Sequence, residues 1–346
     1  MSDERSPADE LADACPSCLD HELEIAKLSD QLRGTRASNR QLLAEVTRHR
    51  DVEKRLEDLP KVKRRRYPKK AKTSKGDCAA IVALSDWHYG QLFDASAVEG
   101  RNSFNPEIAA ARATLLPQKI ASMYGFSLGF FDLDELIVCL LGDFIHGHIH
   151  EENLVANSME PMEELVAVRD HLISIIEYLH ATIAPKRMRV IGTRGGNHAR
   201  TTKRTYHTKG GTTNLEWMLY SMVSKAVSVP VEWELSADYF NTIDVKGQLV
   251  RVHHGDNIRY WGGVGGVTIP LNKSIAAWNK LRPVTLDLIG HYHQFKRQRD
   301  AVINASLVGY DPFALSIKAD YEPPGQGFLV VDREKGLVFA EPVFVE

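Results

Sequence analysis

A chain of 346 residues, 43% hydrophobic and 25% charged, has the composition of a folded protein, which excludes whole-chain disorder, collagen and a chain made only of coiled coil. Its formal charge of −2 averages over unlike blocks: residues 1–20 carry six acids and one base, residues 21–60 eight of each, residues 61–75 nine bases and no acid, and residues 76–346 are net −6. There is no run of 18 apolar residues, so no spanning helix and no membrane partner is expected. The acidic start MSDERSPADE lacks the apolar core of a secretory signal, which makes the cytoplasm the expected compartment. Four cysteines at irregular spacing do not make a disulfide framework in a chain this long.

Residues 1–60 read as an arm. Cys15-Pro-Ser-Cys18, followed by His21, offers part of a structural zinc site whose missing ligands could come from a second chain; the alternative is a turn with two free thiols. A 3-4 spacing through Ile25, Leu28, Leu32, Thr35, Asn39, Leu42, Val46, His49, Glu53 and Leu56 predicts a helix of about five heptads, with polar seam positions that weaken a homodimeric coiled coil. Pro60 closes it. Residues 61–77, containing KVKRRRYPKKAKTSK, read as a flexible basic linker suited to the nucleic-acid backbone.

The texture changes at residue 78 and holds to 346. Strand-like runs at Ala79–Ser85, Leu136–Leu141, Met188–Gly192, Leu249–His253, Leu286–Ile289, Ala301–Ser306 and Phe328–Val331 alternate with helical patterns at 106–122, 157–183, 212–227 and 268–280. This alternation predicts one α/β domain, and residues 300–346 read as closing strands.

Five of the apolar runs end in Asp, Asn or His. They are Asp86 and His88 in SDWHYG, Asp143 and His146 in GDFIHG, Asn197 and His198 in GGNH, His253 and His254 in VHHGD, and His291 and His293 in GHYH. Strand ends are where α/β folds place ligands, and alternation along an extended segment would point Asp86 and His88 to one side. Carboxylate, amide and imidazole without thiolate suit manganese, iron, zinc or cobalt, and the set is large enough for two ions.

The order D-x-H, G-D, G-N-H, H-G, G-H-x-H over residues 79–295 resembles the calcineurin-like metallophosphoesterase superfamily. The resemblance implies a four-layer α-β-β-α sandwich behind the helical arm. It also implies roles: Asp86, His88 and His293 on one divalent metal, Asn197, His254 and His291 on a second, Asp143 bridging, and His198 as the acid. Manganese is the first choice of metal. His254 is preferred to His253 because the family's ligand histidine directly precedes glycine. No V-D-R-G follows the G-D, which argues against a protein phosphatase. His146 and the paired G-H-x-H resemble the DNA-repair nuclease branch, and GNHARTTKR resembles bacteriophage-encoded enzymes, which would put the protein in a host cytoplasm.

Ala199-Arg200 stands where the family usually has an acid after the G-N-H. With Arg194 before it and Lys203 and Arg204 after it, this segment is the candidate contact for a polyanion. His148 and His150 beside His146, the glycine-rich 259–266 with Tyr260 and Trp261, and Lys296, Arg297 and Arg299 are further candidates at the rim. The leading reading is a metal-dependent nuclease acting on DNA. The alternatives are a phosphodiesterase or phosphomonoesterase on small nucleotides, and a scaffold recruited through the helix.

Overall fold

The computed structural model describes residues 16–57, 77–206, 208, 210–260, 263 and 265–346. The chain divides into two units, Met1–Ala71 and Lys72–Glu346. In the first, Pro16–Glu57 forms one helix, α1. Its seam residues Ile25, Leu28, Leu32, Leu42 and Val46 are all exposed, at 47–63%. Cys15 and residues 61–76 lie outside the described residues, and with them the zinc and linker expectations.

The second unit opens with β1 (Cys78–Ser85), α2 (Pro106–Ser127), β2 (Leu133–Gly142), α3 (Glu151–Val155), α4 (Pro161–Ile183) and β3 (Arg187–Gly192). It continues with α5 (Leu215–Ala226), β4 (Glu232–Leu235), β5 (Asn241–Val245), β6 (Gln248–His253), α6 (Thr268–Trp278) and β7 (Leu286–Ile289). It closes with β8 (Lys296–Arg297), β9 (Ala301–Ile303), α7 (Pro312–Ser316), β10 (Gly325–Asp332) and β11 (Gly336–Phe344). Two sheets result, ordered β11-β10-β1-β2-β3-β4 and β5-β6-β7-β9-β8. β1 to β4 run parallel, as do β6, β7 and β9.

Both faces of β1 are buried, which explains its unbroken apolar run. Ala80, Val82 and Leu84 face a core shared with Leu116 and Ile120 of α2, Val168 and Leu172 of α4, and Leu219 and Val223 of α5. Ile81 and Ala83 face the opposite way, into a core with Val250 and Val252 of β6 and Leu288 of β7. Beyond the second sheet, Ile289 and Ile303 pack under Leu271 and Ile275 of α6. The layers are therefore helix, sheet, sheet, helix, as the sandwich expectation requires.

The short strand β4 is not among the strand-like runs expected from the sequence. Trp233 and Leu235 of EWEL pack on the first core, and Glu232 and Glu234 pair with Arg187 and Arg189 of the neighbouring β3, each at 2.5 Å, so cross-strand ion pairs mark this edge. Among the described residues no helix is long and apolar enough to cross a membrane.

Candidate metal centre

Because β1, β2 and β3 are parallel, their C-terminal ends lie on one edge of the first sheet. Asp86 and His88 follow β1, Asp143 follows β2, and Asn197 and His198 lie in the turn after β3. His254 follows β6, and His291 and His293 follow β7, on the second sheet. The chain turns sharply at each point. Asp86, His88, Asp143, His291 and His293 all have positive φ, between 45° and 75°, a conformation that costs a non-glycine residue about 1–3 kcal/mol. Asp86 and His88 thus meet through left-handed turns, not through the strand alternation expected of them. Glycine is required where the loops touch: a Cβ on Gly196 would lie 2.1 Å from Asp143 Oδ1, and one on Gly142 would lie 2.2 Å from Gly196 N.

The side chains converge as three groups, two of which share His88. Asp86, His88 and His293 form the first, Asp143, His254 and His291 the second, and His88, His146 and His198 a third made of imidazoles alone; within each, one donor atom per residue lies within 4.8 Å of the others. His88 Nε2 is 3.1 Å from His293 Nε2, and His293 Nε2 is 3.6 Å from Asp86 Oδ1. His254 Nε2 is 2.8 Å from Asp143 Oδ2, 3.1 Å from Asn197 Oδ1 and 3.2 Å from His291 Nδ1. His293 gives its Nδ1–H to Asp311 and His254 its Nδ1–H to the Leu141 carbonyl, which leaves Nε2 of each ring to face the cluster, as in histidines that bind metal. The donors fit two divalent cations, with a nitrogen and oxygen set that does not decide among manganese, iron, zinc and cobalt.

The electrostatics agree. Burial pushes His88 and His291 well below the usual imidazole range, helped by the neighbouring histidine charges. Burial opposes a proton on His254 too, but the Asp143 carboxylate outweighs it and holds His254 up at about 10. Asp143, despite its burial, is held well below the carboxylate range by His254 and His198. Asp143 and His254 thus favour opposite charges on each other across 2.8 Å.

The groups behind the ligands were not legible in the sequence. Glu216 on α5 accepts from four backbone N–H groups: Phe144 at 2.5 Å and Ile145 at 3.2 Å on Oε1, Gly196 at 2.8 Å and Asp143 at 3.0 Å on Oε2. Glu164 on α4 accepts from His146 N at 2.5 Å, Gly147 N at 3.2 Å and Asn157 Nδ2 at 2.7 Å. Asp311 takes a hydrogen bond from His293 Nδ1 at 3.0 Å and caps α7 through Ala314 N, the carboxylate–histidine support typical of metal ligands. The signal that could have revealed Glu216 and Glu164 is an acid on an apolar helical stripe: Glu216 shares its face with Leu219, Tyr220 and Val223, and Glu164 with Val168 and Leu172.

The other candidates separate. His198 is half-buried; its Nδ1–H donates to His146 O at 2.7 Å and its backbone N–H to Asp143 Oδ1 at 2.9 Å. His146 therefore holds His198 by its carbonyl, while its own ring lies against Asn153 Nδ2 and 3.4 Å from His88 Nδ1. His253 is fully buried among Tyr239, Phe240 and Trp278, beneath the site. Arg194, expected to meet substrate, is 3% exposed, donates to Asp256 at 2.7 Å and lies over the Tyr239 ring; its guanidinium is committed inside the protein. Arg200 is half-buried, and Lys203 and Arg204 are exposed. Tyr260 is half-buried and packs on the third core cluster, donating to Ile317 O, while Trp261 lies outside the described residues. Arg297 and Arg299 line a separate groove with Asp300 and Glu334.

No family model matches the sequence, and no curated protein does. Among solved structures the chain is similar to Vps29 of Entamoeba histolytica, crystallised with zinc, at 10% identity and a TM-score of 0.30 over 77% of this chain and 99% of that one. It is similar to hypothetical protein PH1004 of Pyrococcus horikoshii OT3 at 10% identity and a TM-score of 0.35 over 78% and 89%. Function therefore rests on the site itself.

Proposed function

We propose that this protein is a dinuclear-metal-dependent phosphoesterase that hydrolyses phosphodiester bonds, with DNA as its substrate. One observation carries the reading: Asp86, His88 and His293 converge beside Asp143, His254 and His291, with Asn197 on His254 and His198 at the margin. These residues would hold two cations, and Asp143, whose charge acts on both His88 and His254, would serve both. Cations there supply Lewis acidity and charge neutralisation at the phosphoryl group.

The chain's own residues do the rest. His198 keeps its Nδ1–H on the His146 carbonyl, which fixes the ring and leaves Nε2 as its other proton site. As imidazolium it delivers the Nε2 proton to the leaving oxygen and becomes neutral, a step worth roughly 10²–10⁴-fold. Glu216 and Glu164 hold the G-D and G-N-H turns through their backbone amides. The basic run of residues 61–75 adds sequence-independent affinity for a polyanion.

The test is hydrolysis of single-stranded DNA, duplex DNA, RNA, small nucleotides and bis(p-nitrophenyl) phosphate by the full chain with manganese, and then with zinc, iron or cobalt. DNA cleavage is the expected result. Cleavage of small nucleotides alone would move the reading to the small-molecule alternative. Inactivity with every metal would leave a scaffold.

A further inference from the structure

Beside the metal centre a groove of 310 Å³ opens, and His198 forms part of its wall. Its lining includes buried Ile145 and half-buried Leu215 together with Arg200, Lys203 and His148. Arg200 is anchored from below: Nη1 donates to Asn197 O at 2.8 Å and Nε to Thr202 O at 3.2 Å. Its Nη2 and the ammonium of Lys203 have no partner among the described residues. His148 lies 3.8 Å from the exposed Glu160, and the charges of Asp143 and Asp256 reach Arg200 without a direct ion pair.

We infer that this groove is the leaving-group subsite and that it takes a nucleoside carrying a further phosphate. The inference deepens the phosphoesterase reading and rests on it. His198 belongs both to the metal centre, where its ring lies 4.5 Å from that of His88, and to the groove. A group whose oxygen is protonated by His198 must extend from that oxygen, and the groove is the space there. Its size suits one nucleoside unit, an apolar wall suits the face of a base, and two unpaired cations suit the next phosphate along a strand. A neutral alcohol would leave both cations unused. The oxygen of a water molecule bonds to phosphorus and gives up a proton, the bond from phosphorus to the oxygen of this nucleotide breaks, and that oxygen departs with the proton from His198.

The probe is thymidine 3′,5′-bisphosphate, titrated calorimetrically into the full chain in EDTA, so that binding is read without metal or turnover. It is expected to bind at least tenfold tighter than thymidine or inorganic phosphate. Arg200→Ala is expected to weaken it about tenfold and Lys203→Ala several-fold, both losses shrinking as salt rises. Affinity equal to that of inorganic phosphate, or unchanged in Arg200→Ala, overturns the subsite. Thermal melts of both variants separate lost binding from lost folding: Lys203→Ala is expected to match the parent, and Arg200→Ala, which gives up the bonds to Asn197 O and Thr202 O, to melt somewhat earlier while staying folded at the titration temperature. Hydrolysis of bis(p-nitrophenyl) phosphate with manganese is measured alongside: if it proceeds while the bisphosphate fails to bind, the subsite falls and the phosphoesterase stands. If the bisphosphate binds and no metal supports hydrolysis, the groove is a nucleotide site and its leaving-group role falls.

Discussion

Replacing Glu216 should loosen two turns of the metal centre at once. Its carboxylate is fully buried and satisfies the N–H groups of Phe144 and Ile145 with one oxygen, and those of Asp143 and Gly196 with the other. A buried donor left unmet costs about 1–3 kcal/mol. Glu216→Leu strands all four donors, about 4–12 kcal/mol, comparable with the whole stability of a domain at about 5–15 kcal/mol. Glu216→Gln keeps one acceptor oxygen and turns an amide N–H₂ toward the other pair, stranding two donors at a cost of about 2–6 kcal/mol. For a domain of this size that lowers Tm by roughly 10 °C. The assay is thermal unfolding with and without manganese, together with metal analysis after desalting. The Gln variant should fold, melt earlier, and hold less metal, because Asp143 and Asn197 lose their fixed approach. Parental Tm and metal content in Glu216→Leu would refute the reasoning, since the four donors would then have to be satisfied some other way.

Four further outcomes are expected. His198→Ala should retain both metals by elemental analysis while turnover falls roughly 10²–10⁴-fold; full activity would remove the acid. Asp143→Asn should lose metal, because the neutral amide no longer offsets the positive charge gathered by His254 and the cations. Glu322, which accepts from Phe295 N at 2.6 Å, is pushed up to about 7 by burial; its stabilising contribution is complete below about pH 4.5 and lost as pH rises through 7. Glu322→Gln should accordingly gain on the parent by about 2–3 kcal/mol between pH 5 and 8 in chemical denaturation, after discount for its partial exposure, and a gain that stays flat with pH would count against it. Finally, if the exposed seam of α1 pairs with a second copy, the full chain sediments as a dimer, and Leu28→Glu with Leu32→Glu returns it to a monomer.

The convergence of the side chains at the candidate metal centre was legible because each is a short polar word after an apolar strand, and β1 and β2, buried on both faces, spell that strand without interruption. Position along the chain did not reveal orientation. Arg194 looked like its basic neighbours, yet Asp256, 62 residues away, and the ring of Tyr239 fold over it. β4 was hidden because it is only four residues long, EWEL, so the alternation of Trp233 and Leu235 with two glutamates is too short to stand out. Glu216 and Glu164 left only the faint mark of an acid on an apolar helical stripe, because the backbone N–H groups they accept from lie 17 to 73 residues away, and Asp311 reads as a helix cap without showing that it also holds His293.

Each group of ligands that includes a carboxylate draws on both sheets. Asp86 and His88 come from the first and His293 from the second; Asp143 and Asn197 come from the first, His254 and His291 from the second. The ions would then act as rivets through the open end of the sandwich, where no apolar side chain could do the same work. Chelation should unzip that end first, so amide exchange in EDTA ought to quicken at the tips of β1, β2, β6 and β7 while the middle of the sandwich stays protected.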